Sequence, residues 1–288
     1  MKRVIATRAY KSVSINILLF IGTAFLSTAV LADTVNLLAE KDNTLYEDEE
    51  GDLSNGAGDH LFTGSTNTPL IRRAVIKFDI DGAIPADATI DSVQLTLNVS
   101  RNNNSTAEDT SLHRLTSDWG ESGSNASGNE GGGAAAENGD ATWQHTFYDN
   151  SFWSAPGGDF VAGASASIPV DVAGGHVWGS TAGMVSDVQQ WLDQPASNFG
   201  WIIIGNESQS ATSKRFDSRE IQDGNAPGLE VVFTTAPPVG ACCASNGDCT
   251  DTTLSLCLDG GGVFQSAGSS CAQILECPVF EDGFEDNK

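Results

Sequence analysis

The chain has 288 residues, 14 Lys/Arg against 38 Asp/Glu, and a formal net charge of −24. So acidic a surface repels phosphate backbones, whose binding depends on neutralisation by Lys and Arg. That argues against nucleic acid and for neutral or cationic ligands.

Residues 1–32 open with Lys2, Arg3, Arg8 and Lys11 and no acid, followed by an apolar run from Ile15 to Leu31 and small residues before Asp33. This is the pattern of a secretory signal peptide with its cleavage site. Asn16 and Gly22 interrupt the run, which also falls short of the roughly twenty residues of a membrane span. No second apolar run follows. The mature chain is therefore expected outside the cell, free or on a bacterial cell surface, without a transmembrane segment. Loss of the leader leaves 10 Lys/Arg against 38 Asp/Glu, a net charge of −28.

Residues 33–235 read as short strands separated by Gly/Asn/Ser/Asp turns. Ala74-Val75-Ile76-Lys77-Phe78-Asp79-Ile80 and Ser92-Val93-Gln94-Leu95-Thr96-Leu97-Asn98-Val99 alternate apolar and polar residues, the mark of a strand with one buried face. Leu229-Glu230-Val231-Val232-Phe233 repeats the pattern, and Trp201-Ile202-Ile203-Ile204 is a continuous apolar run suited to a central strand. One helix interrupts them: Met184, Val188, Trp191 and Leu192 share a helical face, and Pro195 stops it. Residues 102–109 and 121–140 are expected as loops, the second mobile for its Gly, Ala, Ser and Asn content. The fold class is all-β, a jelly-roll β-sandwich with one short helix.

Residues 236–241, with Pro237 and Pro238, form a linker. Beyond it lies a cysteine-rich module, 242–278, too small for a substantial core. In an exported protein its Cys242, Cys243, Cys249, Cys257, Cys271 and Cys277 read as three disulfides. Joining the adjacent Cys242 and Cys243 is sterically poor, which leaves twelve pairings open. The spacing lacks the C-x2-C pairs of a zinc site, and no His is near. The acidic end, 279–288, reads either as a sorting or docking tag or as a frayed terminus.

The strand at Arg73-Ala74-Val75-Ile76-Lys77-Phe78-Asp79 runs into Ala83-Ile84-Pro85-Ala86-Asp87-Ala88-Thr89-Ile90 and the strand at Val93-Gln94-Leu95-Thr96-Leu97. Ser186-Asp187-Val188-Gln189-Gln190-Trp191, Asn198-Phe199-Gly200-Trp201 and Arg215-Phe216-Asp217-Ser218-Arg219-Glu220 follow in order. Together these resemble the DNRLRE domain family over 33–235, and the tail looks like G-A-C-C modules of secreted bacterial proteins. The resemblance implies a jelly roll similar to carbohydrate-binding modules, attached to polysaccharide-active or adhesive proteins. Arg73 and Arg219, rare bases among acids, are expected to be paired, tying strand ends through charge-assisted hydrogen bonds.

Two sites follow from residue chemistry. Acidic turns across 42–59 supply oxygen ligands, and Asp42, Asp48, Asp52 and Asp59 are the candidate ligands of a structural calcium ion, although the spacing is not an EF-hand. Sugars stack on exposed aromatics, and Trp143 and Trp153, with His145 and Tyr148 between them, follow the long loop expected to be mobile. Core packing is nevertheless the favoured assignment for those indoles. Catalysis has little support: His60, His113, His145 and His176 are scattered, with no H-E-x-x-H and no G-x-S-x-G. The expected function is a non-catalytic module attaching to polysaccharide or a cell-surface component. A structural or adhesive surface protein using the sandwich as a spacer is the alternative. Exposed Trp143 or Trp153 favours sugar; buried tryptophans with an apolar outer patch favour protein contact.

Overall fold

The computed structural model describes residues 32–274 and 276–277. The leader, apart from Ala32, and the acidic end at 279–288 lie outside them. In chain order the strands begin with β1 (Ala32–Leu38), β2 (Lys41–Tyr46), β3 (Leu53–Ser54), β4 (His60–Ser65), β5 (Ile71–Lys77) and β6 (Thr89–Asn102). They continue with β7 (Glu108–Arg114), β8 (Ala134–Ala135), β9 (His145–Phe147), β10 (Ser151–Phe152), β11 (Ala166–Val170) and β12 (Gly174–Trp178). Helix α1 (Ala182–Asp193) precedes β13 (Trp201–Ile204), β14 (Lys214–Asp217) and β15 (Gly228–Thr234). The tail holds β16 (Val239–Cys243), β17 (Cys249–Thr253), α2 (Leu254–Asp259) and β18 (Val263–Phe264).

The body is all-β, an 11-stranded antiparallel sheet in the order β1-β15-β6-β14-β4-β5-β13-β7-β11, with β12 paired to β6 and β2 to β5. It curls at β4, where residues 60–63 pair with β14 and 64–65 with β5. Gly64 stands at this corner with φ 85°, a conformation glycine adopts without a Cβ penalty. The two halves thus face one another as a β-sandwich.

Alternate residues fill the space between them. Val93, Leu95, Leu97 and Val99 of β6 and Leu229, Val231 and Phe233 of β15 meet Ala74, Ile76, Trp201 and Ile203 from the other half in one buried cluster. Helix α1 adds Met184, Val188, Trp191 and Leu192 to it, the face expected from their spacing. Thr181 caps that helix, its Oγ1 accepting the Met184 N–H at 3.1 Å. β13 coincides with the apolar run that announced it. β5 lies three residues earlier than the expected 74–80: Phe78 and Ile80 stay in the core but have left the ladder.

Val75 and Ile202 point away from this core and are equally buried, because 116–165 folds across the outer face of β5 and β13. Leu45, Val75 and Ile202 pack there against Leu115, Trp119, Ala141, Trp143 and Trp153. A strand covered on both faces needs apolar residues at successive positions, which accounts for Trp201-Ile202-Ile203-Ile204. Residues 121–140, expected as a mobile loop, are instead pinned to this layer. Asp140 is buried, its Oδ1 accepting the Ser122 N–H at 2.7 Å and its Oδ2 the Glu137 N–H at 2.8 Å.

In the tail, β16 pairs with β17 on one side and β18 on the other. Its bridges are Cys242–Cys257, Cys243–Cys277 and Cys249–Cys271, one of the pairings left open by the sequence. Two details differ from expectation. β16 begins at Val239, inside the expected linker, and α2 is a second short helix.

Candidate functional site

Of the two assignments weighed for Trp143 and Trp153, sugar platform or core, the structure has the core. Trp143 and Trp153 retain 9% and 5% of their accessible surface. Trp153 Nε1 donates to the Thr142 carbonyl at 2.9 Å. The Arg73 guanidinium lies over Trp143, 5.0 Å from the ring centroid, while forming a bidentate pair with Glu207 at 2.7 and 2.9 Å. His145 is buried too, with Nδ1 3.0 Å from Thr142 Oγ1, and Tyr148 stands half-buried and edge-on to its ring. The physical reason is the two-faced sheet: without these side chains Val75 and Ile202 would meet water. The exposed aromatic of this segment is Phe152, at 66%, with its ring centroid 4.3 Å from that of His145. Alternation held the signal, since neighbours on a strand point to opposite faces. If Trp153 faces the core, Phe152 faces out.

The four aspartates expected to gather around calcium do not form one cluster. Asp48 Oδ2 accepts the Gly51 N–H at 2.8 Å and closes a turn, and Asp59 is exposed. Among the described residues Asp42 instead joins Glu121 and Glu220, with one oxygen of each within 4.8 Å of the others. Arg219 stands among them: its backbone N–H donates to Asp42 Oδ2 at 2.8 Å, and its Nε lies 2.9 Å from Glu121 Oε1 and 3.0 Å from Glu220 Oε1. Burial, with the nearby Glu220 charge, pushes the Asp42 carboxyl well above the usual range. Burial likewise raises Glu121 and Glu220. Calcium takes six to eight oxygens; here Glu121 and Glu220 already share the Arg219 guanidinium and Asp42 accepts the Arg219 backbone N–H, and the set fits an ion-pair node better than a calcium cage. The expected pairing of Arg73 and Arg219 is found at both residues.

The remaining bases are distributed unevenly. Among the described residues of the body, Lys41, Arg73, Lys77, Arg114 and Arg219 each have a carboxylate within salt-bridge distance. Arg72, Arg101, Lys214 and Arg215 have none there; they lie on β5, β6 and β14, around β4. Lys214 is buried and spends its ammonium on the carbonyls of Asn104, Thr106 and Asp171. Arg215 of β14 sits directly between Phe62 of β4 and Arg101 of β6. Like charges placed directly opposite on a sheet are destabilising. Arg215 Nε finds only the Ser100 hydroxyl, at 3.1 Å. Burial lowers its pKa, the nearby Glu130 charge opposing the shift and the charge of Arg101 adding to it.

A cleft of about 330 Å³ opens at this point, lined by Phe62, Arg72, Arg101, Asn67, Asn103 and Asn129 among others, with no Asp or Glu in its wall. Arg72 forms its deep side. That guanidinium is stacked 4.8 Å from the Tyr46 ring centroid, donates to the Ile71 carbonyl at 2.8 Å, and is depressed in pKa by burial. In a chain with 38 acids against 14 bases, an acid-free cleft flanked by arginines is the feature that packing leaves unexplained.

No family model and no curated protein matches this chain. The residues that resemble DNRLRE motifs have structural work in this fold. Ile76, Phe78, Val188, Trp191 and Phe216 are in the core. Asn198 Nδ2 donates to the Phe78 carbonyl at 2.8 Å. Gly200, at φ 77°, lies where a Cβ would come within 2.0 Å of the Ile76 carbonyl oxygen, so only glycine fits. Ser218 Oγ donates to the Gly58 carbonyl at 2.7 Å. None of these lines the cleft; sequence reasoning passed over Arg72 and Arg101, and read Arg215 only as part of a segment, 215–220, that ties a strand end. The available signal was their isolation from Asp and Glu in space, which spacing along the chain does not carry.

Proposed function

We propose that the protein is an exported, non-catalytic binding module of the DNRLRE kind its motifs resemble, and that the Arg72–Arg101 cleft receives an acidic sugar unit of an extracellular or cell-surface polysaccharide. The observation that carries this reading is the cleft itself, lined by Arg72 and Arg101 with no Asp or Glu in its wall, and with Arg215 directly opposite Arg101 on the neighbouring strand. Guanidinium groups match carboxylates and sulfates in planar, bidentate geometry. Asn67, Asn103 and Asn129 offer amides to hydroxyls, and Phe62 an apolar surface to C–H groups.

Net charge led to the expectation of a neutral or cationic ligand. That inference concerns the far field, which falls off over a Debye length of about 8 Å at physiological salt, whereas the guanidinium groups act at contact. The cleft volume of about 330 Å³ is at the small end for ligand pockets. It suits one or two sugar units, and a long polyanion would meet the acidic surface on either side. Hydrolysis by paired carboxylates has no group in the lining. Calcium has no part in this reading.

The test is affinity electrophoresis and calorimetry of the mature protein with polygalacturonate, dextran sulfate and neutral dextran, with and without chelator. Binding to one acidic polymer and not to dextran is expected, unchanged by chelation and weakened about tenfold or more, or ~1.4 kcal/mol per factor of ten, in R101A/R215A. Equal binding of neutral dextran, no binding to either acid polymer, or full binding by the double variant ends the proposal.

The adhesive reading draws on the burial of Trp143 and Trp153, which removes them as a sugar platform and by the criterion above favours protein contact, together with an apolar patch on the tail. Leu254, Leu256 and Leu258 of the tail are exposed apolar residues on one six-residue helix. It predicts that L256S/L258S abolishes attachment to whole cell envelopes while R101A/R215A leaves attachment intact.

A further inference from the structure

Asn129 and Gly131 both line the cleft, and Glu130 between them turns inward with only 8% exposure. Its φ is 61°, a left-handed conformation that is unfavourable for a residue with a Cβ. Such a conformation persists where the surroundings over-determine it, and here they do. Glu130 Oε2 accepts from Asn55 Nδ2 and from the His60 backbone N–H, each at 3.0 Å. Oε1 lies 3.1 Å from His60 Nδ1, and the Glu130 carbonyl accepts the Tyr46 hydroxyl at 2.9 Å. The next carbonyl, that of Gly131, accepts Arg72 Nε at 3.4 Å. One buried carboxylate therefore connects the wall of the cleft to the guanidinium at its deep side.

The surrounding sequence makes this anchor necessary. Gly128, Gly131, Gly132 and Gly133 flank Glu130 within a few residues, and glycine loses more backbone freedom on ordering than any other residue. A wall of glycines left free would order only on binding, and the ligand would bear that cost. Resting on the acidic-sugar reading above, we infer that Glu130 is the positioning residue of the cleft: clamped by Asn55 and His60, it holds Asn129, Gly131 and Arg72 in the arrangement that receives the acidic group. It touches no ligand itself.

Three variants separate clamp, charge and strain, measured by calorimetry with whichever acidic polymer the wild type binds. E130G removes the clamp and relieves the backbone strain, so its fold is retained; its affinity is expected to fall about tenfold or more, with a larger entropic penalty. E130A should fall as far, and its melting temperature separately records the strain it keeps. E130Q retains an oxygen that accepts from the His60 N–H and is expected to bind within about threefold of wild type. The proposal is overturned if E130G binds like wild type while R101A/R215A does not, an outcome that leaves the cleft reading intact. It is overturned as well if E130Q is as weak as E130G, because charge and not the clamp would then be at work. If R101A/R215A binds like wild type, the cleft reading fails and takes this inference with it.

Discussion

The body and the tail of this chain reach order by opposite means. The body contains no cysteine and buries two apolar layers on either side of β5 and β13. Among the described residues of the tail the buried hydrophobic ones are Ala241, Cys242, Cys243 and Cys257, three of them half-cystines. Small modules cannot remove enough apolar surface from water to offset chain entropy, so they need staples. Larger sandwiches can, provided both faces of the central sheet are covered. The contrast explains why Leu254, Leu256 and Leu258 of the tail stay exposed while even Trp143 of the body does not.

The largest expected effect is on the tail. Each bridge closes a loop of 15 to 34 residues and restricts the unfolded chain by about 3 kcal/mol or somewhat more. Reduction should unfold 242–277 and leave the body's transition in place. Scanning calorimetry with and without reductant, paired with limited proteolysis, would register this. A body that melts together with the reduced tail breaks the comparison.

Next comes the outer layer of the body. Trp153→Ala should cost about 3–5 kcal/mol as a core truncation, lowering Tm by roughly 10 °C. Chemical denaturation of the variant measures it directly. A surface sugar platform, by contrast, would lose ligand without losing stability.

The smallest effect concerns the ionic node. Because the Asp42 carboxyl is raised in the folded state by burial and by Glu220, the folded protein holds that proton more tightly than the unfolded chain does. Its contribution is fully present below the ordinary aspartate range and is lost as pH rises through the folded value. Asp42→Asn keeps an acceptor for the Arg219 N–H and removes the buried charge. It should raise Tm at neutral pH by roughly 2–4 °C, the shift that 1 kcal/mol makes in a domain of this size. The gain should shrink as the pH is lowered. Thermal melts across the acid range would detect a gain of the opposite slope.

Much of the fold was legible before any coordinates. Period-two alternation located β6 and β15, an unbroken apolar run located β13, and a helical stripe located α1. These signals are local, because strand and helix each impose a fixed repeat on the side chains. The candidate site was legible in almost none of its parts. Trp143 and Trp153 follow a glycine-rich loop, so the sequence favours the core for them without naming what they cover; in space they cover Val75 and Ile202. Asp42 lies near Asp48 in sequence, yet pairs in space with Arg219 and its two glutamates.

Composition and pattern determined by themselves that the body is all-β, that one helix packs by its apolar face, and that six cysteines crowd a small tail. Tertiary structure alone decided which cysteines join, which aromatics are exposed, and where an acidic chain leaves arginines unpaired. The reason is physical. Secondary structure and burial face are written in the short-range periodicity of one strand or helix. Charge balance at a site is set by groups from β4, β5, β6 and β14 that meet only when the sheet curls.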